Sequence, residues 1–390
     1  MMRVILTVIY SPWSPYSGGA QRSTHILASA LAEQGLDVTV VYTRAPGERY
    51  SVPETLPYTI TWAPFWDYRS RRNAPLRSLT ALSVKRTVAR LLRQSNTRST
   101  IVHSHAEEGG LLQQLRKQFS FGWIATVRFP WFPEVLFNPS PSFLEQARLL
   151  LQENRYILQG WAARYADRCV TPSQYIGHQV QQAFHVAPER LRIIPNSVPP
   201  VYLKYHYEKA YLSKGPIVFF GRFDPTKGLD LLIKALAVLP DFPGALFIGR
   251  GPQKSTLQQL AHQLNIAHKI RWLDWQPEEA VARYISRASM VVLPSRQENF
   301  SLALLGALAV GAPVISTAVG GTPEIITHQK HGLLVPSDDV HALSEAMQQL
   351  LTHPEWAYTL AKAGKTHVRT HFTPQTIAQQ YLALYREVLS

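Results

Sequence analysis

The chain has 390 residues, 46% of them hydrophobic, which excludes a disordered protein and is natural for two domains with large cores. Its formal net charge of +14 favours an anionic partner, such as a nucleotide, a phospholipid, a phosphorylated lipid carrier or a nucleic acid. The single cysteine, Cys169, excludes an intramolecular disulfide and is compatible with a reducing cytoplasm.

The chain opens with an apolar segment, Val4–Ile9, that predicts a buried parallel strand. We do not interpret it as a signal peptide, because its apolar core is very short and no small-residue cleavage site follows. Gly18 and Gly19 then mark a turn in which the backbone can approach a ligand closely. A helix is predicted over residues 21–34 and ends at Gly35, a residue suited to a helix C-terminus.

A run of basic residues extends from Arg69 to Arg98 and contains no acid. Its apolar residues recur at helical spacing, so several cations should lie together on the opposite side of one helix. These cations are Lys85, Arg86, Arg90 and Arg93. Two interpretations stay open: an ordinary solvated helix face, or a surface that contacts an anionic membrane from its cytoplasmic side. Since no apolar stretch is long enough to span a bilayer, the second interpretation predicts a peripheral contact.

Further strands are predicted in the first half at residues 38–42, 101–104, 123–127, 169–171 and 192–194. His103 and His105 end one of them on the same face; a metal pair is one interpretation, but no third ligand is evident nearby. Arg128 follows another strand, and Trp131 lies in the aromatic segment after it. That segment is either a buried loop or a platform for a sugar ring or a lipid chain.

A second series of strands and helices begins after a proline-rich connection at residues 195–200. Its strands are predicted at 217–220, 245–248, 270–273, 290–293, 314–316 and 333–335. Such alternation predicts parallel sheets covered by helices on both faces. Because both halves show it, we expect an α/β protein with two Rossmann-like domains facing a cleft.

Two strand-to-helix turns of the second half carry the residues of greatest chemical interest. The first, Gly221–Asp230, places Arg222 and Lys227 beside backbone N–H groups at the start of a helix, a position suited to a diphosphate. These cations would stabilise the charge that grows on a departing nucleoside diphosphate, a task that other enzymes give to a metal ion. The second, Pro294–Ser301, contains the acid Glu298, which would accept hydrogen bonds from sugar hydroxyls or cap the next helix.

These two segments resemble the donor site of the retaining GT-B nucleotide-sugar glycosyltransferases, family four, and the resemblance covers nearly the full chain. It implies that Arg222, Lys227 and Glu298 are catalytic, and that no metal or other cofactor is needed. It also implies an acceptor domain at 1–200, a nucleotide-sugar domain at 201–372 and a helix at 373–390 that crosses back to the first domain. The residues expected to bind the sugar donor are Gly18, Gly19, Gly221, Gly249, Gly251, Asn299, Phe300, Ser301 and Leu302. Those expected on the acceptor or sugar side are His103, His105, Arg128 and Trp131.

The chain departs from this family at two positions. The family has a second acid eight positions after the one matched by Glu298, where it grips the ribose, and this chain has Gly306 there. The family usually has a histidine near the reacting sugar where this chain has Arg128, and an arginine cannot shuttle protons at ordinary pH.

The resemblance implies transfer of a hexosyl group, with retention, from a nucleoside-diphosphate sugar to a glycan or lipid-linked acceptor in surface polysaccharide or glycolipid assembly. The two departures support an alternative, a catalytically weak GT-B protein that serves as a binding or assembly partner. A nucleic-acid partner is a third interpretation of the charge, but no RNA- or DNA-binding motif supports it.

Overall fold

The computed structural model describes residues 2–14, 17–45, 47–65, 77–94, 99–105, 107–130 and 154–390. The chain forms two compact units, namely Met1–Pro195 together with Ile377–Ser390 (unit 1) and Asn196–Thr376 (unit 2). The division lies at 195/196, whereas the sequence analysis placed it at 200/201, because Val198 and Tyr202 pack into the core of unit 2.

Within the described ranges, unit 1 is built on a seven-stranded sheet whose neighbouring strands are parallel. The strands are β1 (Arg3–Val8), β2 (Asp37–Arg44), β3 (Thr59–Pro64), β4 (Thr100–Ser104), β5 (Gly122–Thr126), β6 (Arg168–Thr171) and β7 (Leu191–Ile193). They lie in the order β3-β2-β1-β4-β5-β6-β7, so the strand order reverses between β1 and β4. In open α/β sheets, ligands bind outside the carboxyl ends of the strands at such a switch point.

Helices cover both faces of this sheet, since alternate strand residues point to opposite sides. Among the residues that the structure describes, unit 1 has the helices α1 (Gly19–Glu33), α2 (Arg77–Arg93), α3 (Asn154–Tyr165), α4 (Gln174–Phe184) and, from the far end of the chain, α13 (Pro374–Leu389). Leu6 shares a core with Leu31 of α1 and Tyr385 of α13. The next strand position toward the N-terminus, Ile5, shares the opposite core with helices α2 and α3.

Unit 2 repeats this plan with a six-stranded parallel sheet. Its strands are β8 (Ile217–Arg222), β9 (Ala245–Arg250), β10 (Ile270–Leu273), β11 (Met290–Leu293), β12 (Val314–Thr317) and β13 (Leu333–Val335). Its helices are α5 (Pro200–Leu203), α6 (Leu229–Val238), α7 (Lys254–Gln263), α8 (Glu278–Ser286), α9 (Leu302–Val310), α10 (Thr322–Ile325), α11 (Val340–Thr352) and α12 (Pro354–His371). The strand order is β10-β9-β8-β11-β12-β13, so its switch point lies between β8 and β11. The predicted α/β fold of two Rossmann-like units is confirmed.

The structure adds elements that the sequence analysis overlooked, including strand β3 at the edge of the first sheet and the long helix α12. In the ranges given above, no helix combines the length and the apolar character that crossing a membrane requires.

Candidate active site

The switch point of unit 2 brings together two of the three residues predicted to be catalytic. Lys227 ends a short 3-10 turn, Pro225–Lys227, after β8, and Glu298 lies in the loop after β11. Their side chains form an ion pair, with Lys227 Nζ 2.5 Å from Glu298 Oε1. Ser295 donates its hydroxyl to the same carboxylate oxygen at 3.1 Å. The two loops therefore hold a cation and an acid side by side at the carboxyl edge of the sheet.

The same two loops touch along their backbones. Gly228 has a φ of +63°, in the left-handed region that favours glycine, and a Cβ atom there would collide with the carbonyl oxygen of Pro294. Arg296 donates its backbone N–H to the carbonyl oxygen of Thr226 at 2.7 Å. A side chain at position 228 would therefore force the loops apart.

The side chain of Arg296 joins three residues around these loops. Its Nη1 and Nη2 donate to the two carboxylate oxygens of Asp230 at 2.7 and 2.8 Å, a bidentate pair. Nη1 also donates to the carbonyl of Pro225 at 2.9 Å, and Nε donates to Oδ1 of Asp338 at 2.6 Å. The hydrogen bonds from Arg296 lower the pKa of Asp230. The sequence analysis missed this arginine and its partners, because their contacts join positions far apart in the chain.

Arg222, the third predicted catalytic residue, lies at the end of β8 with 75% of its side chain exposed. Its Nη2 is 3.1 Å from Oδ2 of Asp224. The other oxygen of Asp224 accepts a hydrogen bond from the backbone N–H of Thr226 at 3.0 Å and so caps the turn that ends at Lys227. Arg222 thus lies at the same sheet edge as Lys227 but pairs with a different acid.

Two of the glycines predicted to bind the sugar donor in unit 2 are required by chain packing. A Cβ atom at Gly249 would collide with the carbonyl oxygen of Gly221, and one at Gly251 would collide with the backbone of Phe223. Gly221 and Gly249 have φ values of +151° and +153°, but a Cβ atom at Gly221 would make only ordinary contact with the Phe219 ring. Gly249 and Gly251 thus let the ends of β8 and β9 approach closely.

The predicted donor segment after Glu298 leads into α9; it consists of Asn299, Phe300, Ser301 and Leu302, of which Leu302 is the first helical residue. Ser301 caps this helix, since its Oγ accepts a hydrogen bond from the N–H of Leu304 at 3.3 Å. Phe300 is buried against Phe372, with ring centroids 5.6 Å apart. The first turn of α9 contains no acid, so the positive end of its dipole favours an anion beside the Lys227 loop.

Gly306, which replaces the second acid of the family pattern, is buried within α9. A Cβ atom at this position would lie 3.0–3.2 Å from carbons of the Tyr202 ring, closer than ordinary van der Waals contact. Tyr202 itself is buried in the core of unit 2. The aromatic ring therefore occupies the space into which a side chain at 306 would project.

The first turn of unit 1 lies after β1, at the switch point of that sheet. Gly18 is the N-cap of α1 and Gly19 its first residue. The backbone N–H of Gly18 donates to Oε1 of Gln21 at 2.9 Å, and Nε2 of Gln21 donates to the carbonyl of Ile9 at 2.7 Å. Gln21 thereby ties the turn to the residue that follows the strand.

His103 and His105 are buried at the end of β4, with their rings stacked at a centroid distance of 4.2 Å. Both ring nitrogens of His103 are occupied: Nδ1 lies 2.7 Å from Oη of Tyr385, and Nε2 lies 2.7 Å from Oγ1 of Thr126. Burial, with the charge of Arg128 as a smaller cause, holds the pKa of His103 well below its usual range. His103 is therefore a neutral residue of the interior.

His105 is held by Thr7, whose backbone carbonyl lies 3.0 Å from Nδ1. A carbonyl oxygen only accepts hydrogen bonds, so Nδ1 carries the proton. Burial is the main cause that holds the pKa of His105 well below its usual range. Nε2 is consequently a bare acceptor, and this buried atom has no hydrogen-bond partner in the described structure.

A buried carboxyl group, Glu108, lies directly at the switch point of unit 1. Its Oε1 accepts hydrogen bonds from the backbone N–H of His105 at 2.7 Å and from the hydroxyl of Thr7 at 3.0 Å, so it bridges β4 and β1. Burial, with the neighbouring charge of Glu107 as a smaller cause, raises the pKa of Glu108 to about 7. The sequence analysis missed Glu108, although two adjacent acids directly after a buried strand were a visible signal.

Arg128, which stands at the family's histidine position, follows β5 and lies near this polar group. Its Nη1 is 3.4 Å from Oγ1 of Thr24 in α1. Its positive charge contributes to the lowered pKa values of both histidines. Burial lowers the pKa of Arg128 itself, and the charges of Tyr381 and Glu108 oppose this shift as smaller causes. Trp131, the other residue expected on the acceptor side, lies outside the described residues.

A metal pair at the two histidines is not supported by the geometry, because both ring nitrogens of His103 are taken by hydroxyl groups. Across the ranges that the structure describes, no group of three or more His, Cys, Asp or Glu side chains is placed to hold a metal ion.

Two family models match the chain in succession. Residues 17–201 match the model described as Glycosyltransferase Family 4, and residues 208–367 match Glycosyl transferases group 1. The D-inositol 3-phosphate glycosyltransferase of Corynebacterium glutamicum is 26% identical over 421 aligned residues, which cover 100% of this chain and 96% of the relative. The 2-deoxystreptamine N-acetyl-D-glucosaminyltransferase of Niallia circulans is 30% identical over 45% of this chain and 46% of the relative.

Solved structures are similar over the whole chain. Sucrose-phosphate synthase from Thermosynechococcus elongatus has a TM-score of 0.79 at 24% identity, covering 100% of this chain and 99% of that one. The Anabaena protein Alr3699/HepE, solved in complex with UDP and glucose, has a TM-score of 0.73 at 18% identity and covers 99% of this chain and 100% of its own. At these identities the likeness shows the fold alone.

Proposed function

Because the chain belongs to the group 1 glycosyltransferases of family 4 and has their GT-B fold, we propose that it transfers a hexosyl group, with retention, from a nucleoside-diphosphate sugar to a glycan or lipid-linked acceptor. The observation that carries the proposal is the pair of Lys227 and Glu298 at the switch point of unit 2, beside the N-terminus of α9. One site thus offers a cation for a diphosphate and an acid for a sugar.

The roles follow from the charges. Lys227 and the exposed Arg222 would bind the diphosphate, and they would stabilise the negative charge that develops as it leaves. Two fixed cations and a helix dipole supply the electrostatic stabilisation that a metal ion gives elsewhere, so the proposed reaction is metal-independent. Glu298 would accept hydrogen bonds from the sugar hydroxyls and offset positive charge at the anomeric carbon.

In the proposed step, the bond between the anomeric carbon and the diphosphate oxygen breaks. The acceptor hydroxyl oxygen bonds to the same face of that carbon, and its proton passes to the leaving diphosphate oxygen. The family resemblance, rather than the geometry, suggests this same-face course. The anomeric configuration of the product, read by nuclear magnetic resonance, tests it, and an inverted product would contradict it.

Unit 1 would hold the acceptor at its own switch point. The bare Nε2 of His105 is suited to accept a hydrogen bond from a hydroxyl, and Arg128 is suited to bind an anionic group. Two relatives are named for D-inositol 3-phosphate and for 2-deoxystreptamine, which are both hydroxyl-bearing rings. For this chain we propose a glycan or a phosphate-bearing lipid carrier, in surface polysaccharide or glycolipid assembly.

A lipid-linked acceptor requires the enzyme to work at a membrane surface. The basic side of α2 supports this, because Arg86, Arg90 and Arg93 are exposed there. We therefore propose a peripheral, salt-sensitive contact of unit 1 with an anionic membrane.

A second candidate, a catalytically weak protein that serves as a binding partner, is favoured by one observation. The ring of Tyr202 lies against Gly306, where the family has a ribose-binding acid, so one expected contact with the nucleoside is missing.

The deciding experiment incubates the purified protein with a panel of nucleotide sugars and measures the slow release of nucleoside diphosphate. Uridine diphosphate glucose comes first, because a protein of the same fold was solved with UDP and glucose. We expect release from one nucleotide sugar, loss of release in Lys227→Ala, and unchanged release in Arg287→Gln, a change to an exposed ion pair with Glu208. Binding without release for every nucleotide sugar would favour the second candidate.

A further inference from the structure

The outer side of α3 carries three large hydrophobic side chains in a row. Ile157, Trp161 and Tyr165 are 37%, 38% and 45% exposed, and their spacing of four residues places them along one side of the helix. The side of the helix next to this stripe is also apolar, since Leu158 and Ala162 directly follow two of its residues and are buried. An exposed apolar stripe of this kind marks an interaction surface.

This apolar stripe lies in the same layer as the basic side of α2. Val88 of α2 and Ala162 of α3 belong to one core on the same face of the sheet, so the outer sides of both helices point away from that face. The 3-10 helix Leu112–Lys117 contacts both of them. The outer layer of unit 1 thus combines exposed cations with exposed aromatic and aliphatic groups.

The helices of this layer carry positive charge only, and Asp167, which follows α3, pairs with Arg116. The sequences of α2, α3 and Leu112–Lys117 contain no acidic residue. Lys85 is held by an amide, with Nζ 2.6 Å from Oε1 of Gln114, and that contact leaves its charge uncompensated. On the nearby turn Glu107–Gly109 both acids are buried rather than presented to solvent. The layer is therefore complementary to a negatively charged surface.

We infer that α2 and α3 together form a membrane-docking surface, in which the stripe Ile157–Trp161–Tyr165 enters the headgroup region while Arg86, Arg90 and Arg93 bind anionic lipid. Tryptophan and tyrosine favour the boundary between water and acyl chains, because each has an apolar body and a polar tip. An anionic bilayer meets both halves of this surface at once, which explains why the cations and the aromatic groups share one layer. The inference rests on the proposed function, since it identifies the surface from which a lipid-linked acceptor would be reached.

The experiment measures co-sedimentation of the full chain with vesicles of phosphatidylcholine alone or of phosphatidylcholine mixed with phosphatidylglycerol. We expect wild type to bind only the mixed vesicles, and less as salt rises. The double variant Ile157→Ser/Trp161→Ser should bind about tenfold more weakly at every salt concentration. The triple variant Arg86→Gln/Arg90→Gln/Arg93→Gln should bind weakly at low salt and lose its salt dependence. Val238→Ser, at a 52% exposed apolar position of unit 2, is the matched control and should bind like wild type.

Three outcomes would overturn the inference. The first is a wild-type protein that does not bind anionic vesicles at low salt. The second is a double variant that binds them as tightly as wild type. The third is a concentration-dependent dimer in light scattering that Trp161→Ser dissolves, since the stripe would then cover a second copy of the chain. Tyr165→Ser provides a second variant of the same stripe if the double variant shows a lowered melting temperature.

The release of nucleoside diphosphate in solution separates this inference from the proposed function. The docking variants should hydrolyse nucleotide sugar like wild type when no vesicles are present. Vesicle binding as described, with no hydrolysis by wild type or any variant, would support the docking surface and contradict the proposed enzyme activity. Hydrolysis without vesicle binding would support the enzyme activity and contradict the docking surface.

Discussion

Lys227 and Glu298 form an ion pair, with 2.5 Å between Nζ and Oε1, although they are proposed to hold opposite ends of the same donor. Both side chains are largely buried, so the ion pair is only partly screened by solvent. A diphosphate that approaches Lys227 must therefore compete with the carboxylate already there.

This competition predicts opposite effects of Glu298→Gln on binding and on turnover. Without its resident carboxylate, Lys227 should bind nucleoside diphosphate more tightly, by up to roughly tenfold. Turnover should fall by about a hundredfold or more, because the acid that faces the sugar is lost. Calorimetric titration with nucleoside diphosphate measures the first effect. Unchanged or weaker binding in a folded variant would show that the ion pair does not compete with the ligand.

Arg222→Ala and Lys227→Ala should each lower turnover far more than they lower stability. The Arg222 side chain is mostly exposed and its pair with Asp224 lies at the surface, so its removal should change the free energy of unfolding by less than about 1 kcal/mol. Turnover should fall by about a hundredfold, since a cation that stabilises the leaving diphosphate is removed. If both variants turn over as fast as wild type at saturating donor, Arg222 and Lys227 are not catalytic.

Gly306→Glu cannot restore the ribose-binding acid of the family by itself. The first side-chain atom would press on the Tyr202 ring, so we expect this single change to destabilise unit 2 by about 1–3 kcal/mol. Combining it with Tyr202→Ala should make room for the acid, at a further cost in stability because a buried ring is removed, and raise affinity for nucleoside diphosphate by up to roughly tenfold. A single variant that is as stable as wild type would contradict this interpretation of the contact.

Arg296 should act as a positioning residue for the loops that carry Lys227 and Glu298. Arg296→Lys keeps the charge but loses the bidentate bond to Asp230, so kcat should fall several-fold while KM changes little. Asp230→Asn should have the same effect, and the double variant should be no worse than either single one. Arg287→Lys, in an exposed ion pair of the same unit, is the control. Additive losses in the double variant would show that the two residues act separately.

Glu108 should make unit 1 less stable as pH rises. Its pKa is raised from 4.5 to about 7 in the folded protein, so the folded state binds more protons than the unfolded state between these values. The free energy of unfolding is therefore highest below pH 4.5, and it falls by roughly 3 kcal/mol as the pH rises to about 7. Glu108→Gln keeps one acceptor oxygen for the hydrogen bonds from His105 and Thr7 and removes the titration. Denaturant unfolding at about pH 5 and pH 8 measures this. The free energy of unfolding of the variant, relative to that of wild type, should be higher at pH 8 than at pH 5. Equal pH dependence in both proteins would contradict a buried, titrating carboxyl group.

Much of the fold could be predicted, because buried parallel strands are continuous apolar runs and the helices between them have clear apolar periodicity. The strands β10, β11 and β13 begin and end at the predicted residues. Strand β3 was overlooked because Thr59–Pro64, at the edge of its sheet, is mostly half-buried and has no continuous apolar run. The meeting of the Lys227 and Glu298 loops followed from their positions after two strands.

The rest of the site depends on contacts between distant positions. Arg296 and Asp230 are 66 residues apart, and nothing in either local sequence marks them as a pair. The ring of Tyr202 against Gly306 is likewise a tertiary contact, which a missing acid alone does not reveal. Gly249 and Gly251 show a further tertiary cause, since backbone packing requires both glycines, while their predicted contact with the sugar donor stays a prediction.

The bond between His103 and Tyr385 joins positions 282 residues apart, and Tyr385 is fully buried in the core of unit 1. Unit 2 is made of one continuous stretch of chain, whereas unit 1 needs α13, which is synthesised after the whole of unit 2. During translation, unit 2 can therefore complete its core on the ribosome first. On the face of the N-terminal sheet that α1 also covers, the core stays incomplete until α13 emerges, so the first half of the chain to be made is the last to complete its core.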